Sequence, residues 1–372
     1  MHTNYVCPKD TCNGCYACVD ICKHDAITIK DEIIAYNAEI ITEKCVECGL
    51  CKRVCPNCSN VKKRETIFAK QGWSSLDEER EKSSSGGVAA AITRSFILSG
   101  GYVCSCLFSN GKFGFEITND LETAKRFRGS KYVKSTPMGV YIRIKQVLKE
   151  GHKVLFIGLP CQVAGVLNYT KNNQNLYTID LVCHGTPSPQ LLNNYLETDL
   201  HMCMEDLEDL QFREKHIFRL KKGESYLVPR NLVDRYTKTF LQGLTYTENC
   251  YRCQFATEKR ISDITIGDSW ASDMDEDEQK KGISIILCQN EKGRELIKSA
   301  KLVLHEMNLE AERNKNLQLR KPSDKHKKRE RFMNIFNRIR SFEKAAFMCF
   351  PMFYIKQDAK KVLIHIKSKN KK

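Results

Sequence analysis

Apolar residues recur along this chain in two rhythms. In "AITIKDEIIAYNAEII" (residues 26–41) apolar and polar positions alternate over two short runs, which predicts a β-hairpin. Val88, Ala91, Ile92 and Phe96 return at helical spacing between "SSSGG" (residues 83–87) and Gly100-Gly101, which predicts a helix with a serine-rich start and a glycine stop. Residues 102–108 read as a strand, and residues 138–150 as a helix closed by Gly151. Next come a strand over 153–157, a short helix over 161–168 and a strand over 176–182. Such a succession predicts a parallel pair with a right-handed crossover. "CHGTPSP" (residues 183–189) breaks the chain before a helix reaching Leu200, and residues 261–270 read as a further strand.

The cysteines add chemistry to this frame. Of 19, ten fall in the first 60 residues. Cys12, Cys15, Cys18 and Cys22 follow C-x2-C-x2-C-x3-C, and Cys45, Cys48, Cys51 and Cys55 repeat it with Pro56 behind. This is the spacing of two-cluster bacterial ferredoxins, in which the fourth cysteine of each copy ligates the other cluster. The expected ligand sets are Cys12, Cys15, Cys18 and Cys55 for one [4Fe-4S] cluster, and Cys45, Cys48, Cys51 and Cys22 for the other. The first copy has Lys23 where proline is usual. Paired C-x2-C units also bind zinc, but four cysteines within eleven residues, twice over, fit iron–sulfur cubes better. Cys51, Cys55 and Cys58 also spell C-x3-C-x2-C, but the repeat already claims two of the three. Cys7 and Cys58 receive no role.

Cys161 and Cys183 each fall just past the carboxyl end of a predicted strand, on the sheet edge where open α/β sheets bind ligands. If Cys250-x2-Cys253 folds over that edge, four cysteines meet and a third [4Fe-4S] cluster is expected. The alternative is two small buried residues and a separate redox pair or half zinc site. Serine hydroxyls and bare glycine backbone at residues 83–87 can cradle a phosphate, with plain helix capping as the alternative.

At 372 residues the chain can bury two domains and an appendage. The net charge is +15, but residues 321–372 hold 16 Lys and Arg against 4 Asp and Glu, so most of the excess lies in the tail. A nucleic-acid role is therefore not expected, although a colourless, zinc-rich basic binder is the non-enzyme alternative. No run is apolar enough to span a bilayer, and "MHTNYVCPKD" lacks the marks of a secretory signal, so a cytoplasmic protein is expected. Many cysteines in a reducing compartment point to metal ligation rather than disulfides. Phe332, Ile335, Phe336 and Ile339 share one helical face in the tail. That face suits peripheral contact with an anionic membrane, an acidic partner, or packing on the body.

The body resembles the coenzyme F420 hydrogenase/dehydrogenase beta-subunit family. The residues that carry the likeness are "SSSGG", "RGSKYVKS", "GLPCQVAG", "DLVCHGTPSP", "NCYRCQF" and "SDITIGDSW", in the family's order across residues 83–270. Ala271 stands where the family commonly has glycine. The resemblance implies FAD, with Ser84, Ser85, Gly86 and Gly87 facing its phosphates and Gly129, Ser130, Lys131 and Tyr132 lining the flavin. It also strengthens Cys161, Cys183, Cys250 and Cys253 as ligands. Lys131, His184 and Asp268 are then candidate catalytic groups beside the flavin.

The expected architecture is an α+β ferredoxin domain (1–62), a linker (63–82), a larger α/β flavin domain with a mostly parallel sheet (83–310), and a basic helical tail (311–372). The expected function is that of an iron–sulfur flavoprotein oxidoreductase. It would move electrons between a ferredoxin or flavodoxin and an organic acceptor, with surface-polysaccharide metabolism implied by the resemblance alone. The alternatives are an F420-dependent oxidoreductase subunit and an electron-relay subunit without a substrate of its own.

Overall fold

The computed structural model describes residues 4–229 and 232–369. Near the N-terminus, β1 (Ile27–Asp31) and β2 (Tyr36–Ile40) form the expected hairpin, pairing Ile27 with Ile40 and Asp31 with Tyr36. The sequence repeat is also a backbone repeat. Gly14 and Glu47 occupy matching positions in the two cysteine loops, with φ of 65° and 55°. Tyr16 and Gly49 match in turn, with φ of 59° and 70°, and each leads into a five-residue helix, Ala17–Ile21 or Leu50–Val54. A left-handed conformation costs a non-glycine residue roughly 1–2 kcal/mol. Tyr16 and Glu47 bear that cost so that each loop curls around the space its thiols enclose.

The remaining strands are β3 (Phe68–Ser74), β4 (Tyr102–Ser109), β5 (Lys112–Thr118), β6 (Val154–Gly158), β7 (Leu176–Leu181), β8 (Gln211–Glu214), β9 (Ile217–Lys222), β10 (Ser225–Tyr226), β11 (Ile264–Asp268), β12 (Ser284–Cys288) and β13 (Leu302–His305). Eight of them form one sheet in the order β13-β3-β12-β11-β7-β6-β4-β5. Its centre, β11-β7-β6-β4, is parallel, and both flanks are antiparallel. The chain is thus a mixed α/β molecule with a small ferredoxin-like part and a larger sheet domain. Val154, Leu155 and Phe156 are fully buried, as expected of strands covered on both faces. Strands β8, β9 and β10 make a separate antiparallel sheet.

The two parts share a core. Cys12, Cys15, Cys18, Val54 and Cys55 pack with Tyr141, Ile144, Phe156, Val163 and Val166 of the larger domain. Asp20 crosses the junction: its carboxylate accepts from the backbone N–H groups of Gly139 (2.7 Å) and Tyr141 (3.2 Å). It thereby caps the helix Val140–Lys149, whose own N-cap, Gly139, has no side chain to do so. Beyond it, Asn168 donates to Val54 O (3.2 Å) and Ser59 Oγ (2.7 Å).

Two expected segments differ. Residues 68–74, inside the predicted linker, are β3, which runs between β12 and β13. Lys70, Gln71 and Gly72 break its apolar pattern. Gly72 is required because a Cβ there would lie 2.2 Å from Val303 O. In the expected tail, the helices Arg329–Ile339 and Phe342–Cys349 bury Phe332, Phe336, Phe342 and Cys349 in a second core with Leu192, Tyr195 and Phe212. Phe332 and Phe336 of the first helix therefore pack on the body, one of the three outcomes its sequence allowed, while Ile339 stays exposed. No helix among the described residues is long and apolar enough to cross a membrane.

Candidate functional site

The thiols fall into three neighbourhoods. The loop of Cys45, Cys48 and Cys51 lies at the surface, with Cys48 exposed. Cys12, Cys15, Cys18 and Cys55 are all buried, and burial pushes the Cys15 thiol up to about 11. The neighbouring charges of Cys15 and Cys51 add to the effect of burial on Cys18, so the two loops adjoin. The assignment of Cys22 to the outer set rests on the repeat; here its sulfur accepts from Ala26 N–H at 3.4 Å. Cys7 and Cys58, without a role in the sequence reading, stand beside Cys55. Hydrogen bonds from Cys12 and Cys55 hold Cys7 below the usual thiol range, and both partners are pushed up.

The third neighbourhood forms at the carboxyl edge of the parallel strands. Cys161 begins the helix Pro160–Tyr169 after β6, Cys183 follows β7, and the turn Glu248–Arg252 brings Cys250 and Cys253 over the same edge. All four line one cavity of about 30 Å³, together with Asn13 and Lys134. Burial raises the thiols of Cys161 and Cys253 and takes Cys183 to about 12, and their mutual repulsion adds to it. Hydroxyl and amide groups also surround Cys250: Thr247 Oγ1 lies 3.6 Å and Asn249 Nδ2 3.7 Å from its sulfur. The inner helix touches the first set directly, since a Cβ at Gly165 would lie 3.3 Å from Cys15 Sγ. Among the described residues, no three His, Cys, Asp or Glu side chains close on a single-ion site.

A far larger cavity, about 1060 Å³, opens beside the third set. Cys183, His184, Gly185 and Thr186 line both. One wall is the serine loop and the start of the helix Val88–Leu98, whose N-terminus has no side-chain cap. Free N–H groups and the helix dipole make this end a favourable place for an anion. The loop is held from behind. Arg213 Nη2 donates to Ser84 O (2.7 Å), Lys215 Nζ to Ser85 O (3.0 Å), and Ser130 N–H to Ser84 Oγ (2.9 Å). With those carbonyls engaged, the uncapped N–H groups at the helix start are the groups left to meet an anion.

Most predicted cofactor residues, namely Ser84, Ser85, Gly87, Gly129, Ser130, Lys131 and Tyr132, line this cavity. Gly86 does not. Its N–H donates to Ser284 Oγ (3.0 Å), its O accepts from Ser74 N–H (2.8 Å), and a Cβ would sit 2.5 Å from Gly72 O. It seats the loop on the sheet. The three candidate catalytic groups, Lys131, His184 and Asp268, also line the cavity, in different states. Lys131 Nζ donates to Phe127 O (2.7 Å) and Arg128 O (2.8 Å), and burial lowers its pKa. Burial likewise lowers His184, keeping a neutral imidazole near pH 7. Asp268 is bound in a bidentate pair to Arg213, at 2.6 and 3.0 Å, so its carboxylate serves structure first. Tyr132 stacks between Phe240 (4.3 Å) and Phe218 (6.1 Å), and Phe218 lies 6.5 Å from Trp270. Sequence reasoning missed Arg213, Phe218, Phe240 and Asn316, because each comes from a segment without a motif.

No curated protein matches the chain. Among solved structures, a chain of "Xenon derivatization of the F420-reducing [NiFe] hydrogenase complex from Methanosarcina barkeri" aligns at 16% identity, covering 65% of this chain and 83% of its own, with a TM-score of 0.44. Residues 11–58 match the 4Fe-4S dicluster domain, and residues 151–312 match the family described as the C terminus of the coenzyme F420 hydrogenase/dehydrogenase beta subunit. The chain is thus an iron–sulfur electron-transfer protein with a 4Fe-4S dicluster domain at residues 11–58, and its residues 151–312 are related to the C terminus of the coenzyme F420 hydrogenase/dehydrogenase beta subunit.

Proposed function

We propose that this protein is an iron–sulfur flavoprotein oxidoreductase that moves electrons between a ferredoxin-type donor and an organic acceptor, using three [4Fe-4S] clusters and FAD. The observation that carries the reading is the shared wall: Cys183 and His184 belong both to the four-thiol cavity and to the large one. From the surface inward the order is the Cys45–Cys48–Cys51 loop, the Cys12–Cys15–Cys18 loop, the Cys161–Cys183–Cys250–Cys253 set and the large cavity. That order suits a relay that begins at a docking face and ends at a reaction cavity. Exposed Val46, Lys44, Lys52 and Arg53 around the outer loop favour an acidic donor such as ferredoxin or flavodoxin.

The residues present fit FAD. Ser84, Ser85 and the N-terminus of the helix Val88–Leu98 would hold its phosphates, and Lys131, Tyr132 and the Cys183–His184 segment would flank the ring system. Bound there, FAD supplies exchange of electrons singly or in pairs. The chain's own part is to fix that site and manage protons. His184 can accept a proton at Nδ1 or Nε2, and the Lys131 ammonium favours negative charge in the cavity.

Contact with an anionic membrane, fitting an acceptor in surface-polysaccharide metabolism, is part of the same proposal, now assigned to the last helix. Pro351–Lys369 exposes Met352, Ile355, Val362 and Leu363, interleaved with Lys356, Lys360 and Lys361. The test of the main reading is reconstitution without oxygen, FAD titration and an acceptor screen with dithionite-reduced ferredoxin. Stoichiometric FAD binding and reduction of an acceptor support it. A chain that binds no FAD refutes it, FAD binding with reduction by F420 shifts it to the F420-dependent subunit, and FAD binding without any acceptor leaves the relay subunit.

A further inference from the structure

Lys134 is 5% exposed, yet among the described residues no carboxylate forms an ion pair with it. Its Nζ donates to Asn13 O at 3.2 Å and stands 4.9 Å from the centre of the Tyr36 ring. It lines the small cavity with Cys161, Cys183, Cys250 and Cys253. Asn13 lies between Cys12 and Cys15 in the chain, and its Oδ1 accepts from Asn249 Nδ2 at 3.2 Å, next to Cys250. A buried ammonium therefore sits at the seam between the first and third thiol sets. Burying a charge without a counter-charge is strongly unfavourable. Four thiolates on each side supply that counter-charge once each set closes on a cluster.

We propose that Lys134 is a positioning residue that raises the reduction potentials of the two clusters flanking it, so that electrons are drawn inward from the exposed outer loop. The proposal rests on the three-cluster reading above. Each cluster gains one electron on reduction, and a fixed positive charge nearby stabilises the more negative, reduced form. The outer Cys45–Cys48–Cys51 set has Lys134 on neither side of it and serves as the internal control.

The test uses the full chain, purified without oxygen, as wild type, K134M, K134Q and K134R. Iron is quantified, and each cluster is titrated with dithionite under EPR. In K134M and K134Q the reduction equilibrium of the two flanking clusters should fall about tenfold, which is about 59 mV for a one-electron couple. K134R should keep wild-type midpoints, and the outer cluster should not move in any variant. K134Q retains a polar tip, so the comparison stands if K134M fails to load. Unchanged midpoints in the neutral variants, or an equal shift in K134R, overturn the role of Lys134. Wild-type iron of about eight per chain rather than about twelve overturns the third cluster instead; the midpoint of the first cluster then decides Lys134.

Discussion

Arg213 ties β8 to β11 and to the serine loop, so its replacement by methionine should loosen the cavity. Its guanidinium gives two bonds to Asp268, at 2.6 and 3.0 Å, one to Ser84 O at 2.7 Å and one to Lys215 O at 2.8 Å. The Arg213 side chain is 4% exposed and that of Asp268 is 19% exposed. Removing one member of a buried pair costs about 3–5 kcal/mol, and the partial exposure of Asp268 places R213M near the lower end, about 3 kcal/mol. D268N keeps an acceptor but removes the counter-charge, and should cost about 2 kcal/mol. The double variant should lose about 3 kcal/mol rather than the sum, a coupling of about 2 kcal/mol. Urea unfolding read by tryptophan fluorescence suits this test, since Trp73 and Trp270 are the only tryptophans and both lie in the larger domain. Additive losses would refute the pairing. D268N with wild-type stability and FAD content but no turnover would return Asp268 to the chemistry.

Other predictions rest on separate contacts. G165V should drive a branched side chain into Cys15, whose sulfur is only 3.3 Å from the position of a Cβ, and should lower iron content at the first cluster. D20A should remove the cap on the helix Val140–Lys149 and cost about 1 kcal/mol in urea unfolding. Burial, with help from Glu343 and against Arg235, lifts the Asp199 carboxyl to about 7. Its unfolded value is lower, so the folded chain binds the extra proton, and its stabilising contribution at low pH is lost as pH rises toward 7. D199N should therefore gain on wild type between about pH 4 and pH 7 in urea midpoint; parallel profiles would contradict this. Anionic vesicles should co-sediment the full chain at low salt, and M352E/I355E should abolish it.

What the sequence made legible follows from how local each constraint is. The cluster loops are legible because a cube fixes the spacing of three of its ligands within seven residues, whatever the fold around it. Strand β6 is legible because a strand covered on both faces is apolar throughout, whereas β7 buries Thr178 and Asp180 and is legible from its remaining apolar residues and its place after β6 and a helix. β3 is not, since Gln71 is satisfied by Asp273 and Glu306 O, and Gly72 by the approach of Val303, all some 200 residues away. Gly86 shows the same limit within a recognised motif: its loop faces the cavity, but this glycine faces the sheet. The amphipathic face of Phe332 and Phe336 was visible, but not that Leu192 and Phe212 cover it. Lys134 and Arg213 gain meaning only from partners in distant segments.

The most direct measurement is composition of the full chain purified without oxygen, as wild type and as C250S/C253S. The wild type should carry about twelve iron and twelve sulfide with one FAD, and the variant about eight of each. A wild type with about eight iron, unchanged in the variant and free of FAD, would contradict a relay that runs from the surface loop through the Cys161 set to the large cavity.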